Sequence, residues 1–134
     1  MLYEINIRTS RKFEIIDITD DVQHLIWKSG IKEGIAIVIT QHTTTGLFIN
    51  ENESGLLQDI KDKMKELVPK GAGYNHDRID HNAHSHLRAT LLLNPEVVIP
   101  VDEGELILGT WQRILFVELD GPRTRKVLIK ICGC

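Results

Sequence analysis

The stretch EVVIPVDEGELILGTWQRILFVELDGPRTRKVLIKI, residues 96–131, decides the fold. It reads as strands only: Glu96 to Val101, Glu105 to Leu108, Trp111 to Leu119 and Arg125 to Ile131. Gly104, Gly109 and the pair Gly121-Pro122 separate them as turn residues. Strands joined by such short turns pair antiparallel, because a parallel return needs a much longer crossover.

Upstream of this block the chain mixes strands with helices. Tyr3, Ile5 and Ile7 alternate with Glu4, Asn6 and Arg8, the pattern of a half-buried strand. A second strand is expected over Lys12 to Ile18. Thr19-Asp20-Asp21 opens a helix whose apolar face is Val22, Leu25 and Ile26 and which Gly30 ends. The dense run Ile35 to Thr40 predicts a central strand buried on both faces, and Gly46 to Asn50 the next strand. Glu53 to Leu67 carries Leu56, Leu57, Ile60, Met64 and Leu67 on one side, an amphipathic helix stopped before Pro69. Lys70 to His81 reads as a polar loop and Ala83 to Leu93 as a short helix broken before Pro95.

The order β-β-α-β-β-α-α-β-β-β-β gives an α+β class: one domain over residues 1–134, with a twisted, largely antiparallel sheet or sandwich and helices packed outside. Its strand edges invite association between copies. A chain of 134 residues with 42% hydrophobic content builds one real core without a disulfide or metal staple. A net charge of -3 argues against a nucleic-acid or anionic-membrane binder. No apolar run approaches roughly 18 residues, and the N-terminus lacks a signal layout, so a cytoplasmic protein is expected. Cys132 and Cys134 at the tail read as incidental thiols.

The chemistry concentrates in HDRIDHNAHSH, residues 76–86, which holds four of the six histidines and two aspartates. The segment runs from loop into helix, so the four imidazoles cannot all meet at one point; two are expected to converge. A catalytic zinc site takes three protein ligands and leaves one position open. Of the histidines outside the segment, His24 reads as a surface residue. His42 ends the buried strand and opens QHTTTG, where threonine hydroxyls and backbone amides at a glycine-bearing turn make an anion cradle or a simple hairpin. Asn50, Glu51 and Asn52 follow, either as helix caps or as groups orienting a ligand. Glu51 is a candidate acid/base group or a partner to a ligating histidine.

The late motifs add further candidates. In GTWQ, Trp111 can stack on a heteroaromatic ring and Gln112 can hydrogen-bond it. Glu118 lies in an apolar strand and must be paired or placed at the strand end. Arg123 and Arg125, on alternate positions, can fork onto phosphate or serve in salt bridges.

Taken in order, QHTTTG with NEN, Tyr74-Asn75-His76, the run Ala83 to Arg88, GTWQ and ELDGPRTR resemble the YjbQ-like family, whose members are often named secondary thiamine-phosphate synthase enzymes. The resemblance covers nearly the whole chain. It implies an antiparallel sandwich, a homotrimer, and a polar site lined by the matched residues. Its motif histidines fall on His42, His76 and His86. The activity it implies is a weak coupling of a pyrimidine pyrophosphate to a thiazole phosphate.

The expectation is therefore a small enzyme acting on a phosphorylated metabolite. His42, His76 and His86 would hold a divalent metal, with zinc expected and magnesium suited to a diphosphate. Glu51, Asp80 and Asn50 would serve proton transfer or orientation, and Thr43, Arg88, Arg123 and Arg125 would hold phosphate. Magnesium prefers oxygen ligands, so three imidazoles fit the thiamine reaction poorly. The rival is a non-catalytic trimer that binds a metal or a phosphorylated metabolite at the same residues.

Overall fold

The computed structural model describes residues 1–134. Its strands are β1 (Leu2–Arg8), β2 (Glu14–Asp17), β3 (Gly34–Thr40), β4 (Thr45–Asn50), β5 (Glu96–Asp102), β6 (Glu105–Leu106), β7 (Arg113–Glu118) and β8 (Thr124–Gly133). The helices are α1 (Thr19–Ser29), α2 (Ser54–Leu67) and α3 (Ala83–Leu92), with a 3-10 turn at Asn75–Arg78 inside the predicted loop. The class is α+β, as expected.

Two antiparallel sheets form, in the orders β1-β8-β3-β5-β6 and β2-β7-β4. The main core lies between them. Ala36, Val38, Ile129 and Ile131 from the larger sheet meet Leu47, Ile114 and Phe116 from the smaller one. Helix α1 adds Val22 and Ile26 to the same core. On the far face of the smaller sheet, Val117 and Leu119 pack with Met64 of α2 and Ala89 of α3. The smaller sheet is thus covered on both faces.

The helix ends follow local chemistry. Asp17 Oδ1 accepts from the Thr19 amide at 2.9 Å and its hydroxyl at 2.7 Å, fixing the start of α1. Gly30 closes it with φ of 74°, a conformation glycine adopts at little cost. Helix α2 is capped by Glu53, whose carboxylate accepts from the Gly55 and Leu56 amides at 2.6 and 2.8 Å. Asn50 and Asn52 do not cap it: Asn50 Oδ1 accepts from the Glu51 amide, and Asn52 donates to Asp17.

Two expectations need correcting. The strand buried on both faces is β7, whose Ile114 to Glu118 are all buried, and not β3. β3 is central in its sheet, between β5 and β8, but no element of the chain covers that sheet's outer face. Ile35 is 40% exposed there and Val98 57%. The second and third late strands are also shorter than predicted. Glu105 and Leu106 alone pair with β5, and Trp111-Gln112 lies in a turn closed by Gln112 Oε1 accepting from the Gly109 amide at 2.7 Å.

Candidate functional site

Antiparallel pairing of β4 with β7 sets Thr45 opposite Glu118 and Asn50 opposite Arg113. This register sorts the motifs to two ends of the small sheet. QHTTTG and ELDGPRTR meet at one end, while NEN and GTWQ meet at the other.

At the first end, Glu118 is fully buried. Its carboxylate receives both Arg125 Nε at 2.8 Å and Nη2 at 2.6 Å, with the Thr9 hydroxyl at 2.8 Å and the Asp120 amide at 3.1 Å. Burial pushes this carboxyl up, but the Arg125 fork, the Asp120 amide and the Thr9 hydroxyl outweigh it and hold it below the usual range. Arg125 also donates to the Thr44 hydroxyl at 2.9 Å. Arg125, expected to be free for phosphate, is spent on this pair because a buried carboxylate demands a cation. Arg123 is different. It donates to the Asp120 carbonyl at 2.8 Å and to Asp120 Oδ2 at 3.1 Å, and its side chain remains 55% exposed.

The turn between β3 and β4 is tied by its own hydroxyls. Thr40 and Thr45 share a hydrogen bond of 2.7 Å, and the Thr45 hydroxyl donates to the His42 carbonyl at 3.2 Å. His42 Nε2 accepts from the Lys126 amide at 3.0 Å, which places the proton of the neutral ring on Nδ1. Burial, then the Arg125 charge, lowers the basicity of His42; Glu118 opposes this, while Arg123 and Lys126 add to it. His42 is therefore neutral near pH 7.

A polar cleft of about 380 Å³ opens over this end, with no apolar residue in its wall. His42, Thr43, Asp80, His86, Arg123 and Arg125 line it, joined by Asp120, Asn82, Gln41 and Thr44. Asn82 positions Asp120 with a 3.0 Å hydrogen bond, and Lys12 pairs with the same carboxylate at 3.1 Å. Sequence reasoning missed Asn82 and Asp120. Asp120 opens the turn with Gly121-Pro122, and its place three before Arg123 is a usable signal.

Two of the four clustered imidazoles meet. His76 and His86 stand edge to face with ring centroids 4.8 Å apart. His76 Nε2 is buried without a hydrogen bond, 3.8 Å from Asp80 Oδ2. His81 is exposed, just before α3, and His84 faces away from His86 because two residues turn a helix by about 200°. His86 borders the clefts of both His42 and His76, but the three rings do not converge on one point. No group of three or more His, Cys, Asp or Glu side chains is arranged to hold a metal.

The remaining candidates lie elsewhere. Glu51 and Trp111 share a cleft with Asp17 and Arg113 at the far end of the small sheet. Trp111 is 71% exposed there, and Asn50 belongs to the same end. Arg88 is buried against α2's end, with Nε donating to the Val68 carbonyl at 2.9 Å, and does not reach the His42 cleft. Helical geometry explains this: Arg88 follows His84 by four residues and shares its face.

Fold and cleft together define a small α+β sandwich protein with an imidazole- and arginine-lined site at one sheet end. The family model "UPF0047 protein YjbQ-like" matches residues 3–134, and the chain belongs to that family. A UPF0047 protein of Archaeoglobus fulgidus is 56% identical, covering 95% of this chain and 98% of its own length. The Bacillus subtilis UPF0047 protein YugU is 38% identical over 99% of this chain and all of its own. Among solved structures, a YbjQ-like protein of unknown function from Sulfolobus solfataricus superposes with a TM-score of 0.96 at 46% identity, covering 100% of this chain and 97% of that one.

Proposed function

We propose that the protein is an enzyme acting on a small phosphorylated metabolite bound in the cleft between the β3–β4 turn and α3. The observation that carries this reading is the wholly polar wall of that cleft, with His42, Asp80, His86 and Arg123 facing one space. Arg123 and the Thr43 hydroxyl and amide suit phosphoryl oxygens. His86 and Asp80 suit proton transfer, and neutral His42 offers its Nδ1–H as a donor. In this reading Asp120 acts through Arg123, holding its guanidinium at the rim.

A metal-dependent form of the same enzyme is favoured by the His76–His86 pair and the unpartnered His76 Nε2. Imidazole nitrogens suit zinc, and magnesium would enter with a diphosphate. Within one chain this donor set is incomplete, since His42 Nε2 is engaged by the Lys126 amide. No step is therefore routed through a metal. Thiamine-phosphate formation is a side activity in this proposal, because imidazole donors suit a magnesium diphosphate poorly. We further propose a cytoplasmic homotrimer. Support comes from the uncovered apolar sheet face carrying Ile35 and Val98, and no helix is long and apolar enough to cross a membrane.

Turnover of a panel of phosphomonoesters and diphosphates, with zinc or magnesium added, tests the enzyme reading. Product formation is expected in the wild type and its loss in His86→Ala and Asp80→Asn, with circular dichroism unchanged. Full turnover in His86→Ala overturns it. A blank panel with clear ligand-dependent stabilisation points instead to the non-catalytic binder. Elemental analysis of the same preparations settles the metal: zinc near one per chain, lost in His86→Ala, is expected for the metal-dependent form.

A further inference from the structure

We propose that a second cleft, on the opposite side of α3 from His86, binds a small oxyanion of the phosphoryl class. The cleft measures about 380 Å³, and its wall includes Phe13, Lys65, Lys70, His84 and Arg88. It is distinct from the His42 cleft. The Ser85 hydroxyl, buried between them, donates to the Leu119 carbonyl at 2.6 Å and fixes α3 against the small sheet.

Three observations carry the proposal. First, all but one of the cations here lack an acid. Lys61, Lys65, Lys70 and Arg88 form no ion pair, and the only carboxylate bound to this wall is Asp120 on Lys12. Second, two of its polar side chains are buried and under-used. Arg88 is 5% exposed and spends Nε alone on a carbonyl, leaving both Nη groups without a protein acceptor. His84 is 4% exposed, and its Nδ1 is buried with no hydrogen bond. The Arg88 Nη groups are not sealed off from solvent, and an anion in the cleft would complete a guanidinium that has no carboxylate partner. Third, the cations crowd one ring. Lys61, Lys65 and Arg88 each lie 5.6 to 5.7 Å from the Phe13 centroid. The ring's π face offsets part of their repulsion, and a bound dianion would offset the rest.

The pattern of acids and bases in the sequence does not reveal this site, because its members come from three separate segments. Phosphoryl oxygens fit the donors: the free Nη groups of Arg88 for a forked contact, the lysine ammonium groups as point charges, and a His84 N–H. Free phosphate and the phosphate of an organic ester share this chemistry, and the two are separated by the probes below.

The test is a titration of the full chain with inorganic phosphate, and separately with glycerol phosphate, followed through histidine side-chain NMR signals at constant ionic strength. The His84 signals are expected to shift saturably. Lys65→Ala/Lys70→Ala, both exposed positions, is expected to weaken the apparent affinity about tenfold. Arg123→Ala, in the other cleft, is expected to leave the His84 response intact. Tighter binding of the ester marks an organic phosphate as the ligand class, and tighter binding of the free ion marks phosphate itself. Unmoved His84 signals, a response matched by chloride, or unchanged affinity in the double lysine variant overturns the proposal.

Discussion

Glu118, buried at the end of a largely apolar strand, is held ionised chiefly by the Arg125 fork. Replacing Arg125 with alanine strands that charge, and a loss of about 3–5 kcal/mol is expected in urea unfolding at neutral pH. The pH dependence follows from the sign. The Glu118 carboxyl titrates below its unfolded range, so its stabilisation is present above that range and lost as pH falls from there through the lower folded value. Acid unfolding of Glu118→Gln should accordingly be shallower than that of the wild type. His42 is likewise held below its unfolded value. An NMR titration should place its midpoint below about 6.5, with the folded state losing stability as pH falls through that window. At this scale the sequence announced that Glu118 needed a partner but not which one. No strand-pairing rule links Glu118 with Arg125, because β7 and β8 belong to different sheets.

Among the elements, boundaries set by capping chemistry were legible, and coverage of sheet faces was not. Thr19-Asp20-Asp21 and Gly30 bracket α1 in sequence and in structure. Apolar runs look alike in β3 and β7, yet only β7 is sealed on both sides. The difference lies in what α2 and α3 pack against, a long-range fact that local pattern does not contain. The cap of α2 fell one residue past the NEN run, on Glu53. Glu53→Ala should cost about 1 kcal/mol in urea unfolding. Gly46 is needed for a close approach inside β4. A Cβ there would come within 2.5 Å of Leu93 Cβ. Gly46→Ala should destabilise by about 1–3 kcal/mol and disturb the seat of α3.

For the whole molecule, register is what divides the motifs. Five short motifs looked like one site in sequence. The pairing of β4 with β7 carries QHTTTG and NEN about 17 Å apart along the strand. His42, Asp80, His86 and Arg123 gather at one end, and Glu51 with Trp111 at the other. Residue types could be read as chemistry, but which ones share a cleft depended on a topology fixed only by the full set of strand pairs. The uncovered face of the larger sheet is the other whole-molecule feature. Ile35 pairs opposite Pro100, Ile37 opposite Val98 and Ile39 opposite Leu128, so one face carries all six. If copies associate through it, light scattering should report a trimer for the wild type and a folded monomer for Val98→Glu. A monomeric wild type would remove that part of the proposal.

In the proposed function the His42 cleft recognises a phosphorylated small molecule through Arg123. Thermal unfolding of the wild type and Arg123→Ala, each titrated with a panel of phosphomonoesters and diphosphates, tests it most directly. At least one compound is expected to raise the wild-type Tm progressively above its Kd, and Arg123→Ala, folded and of similar basal Tm, is expected to lose that rise. A panel that leaves the wild type unmoved, or stabilises Arg123→Ala to the same extent, would contradict it.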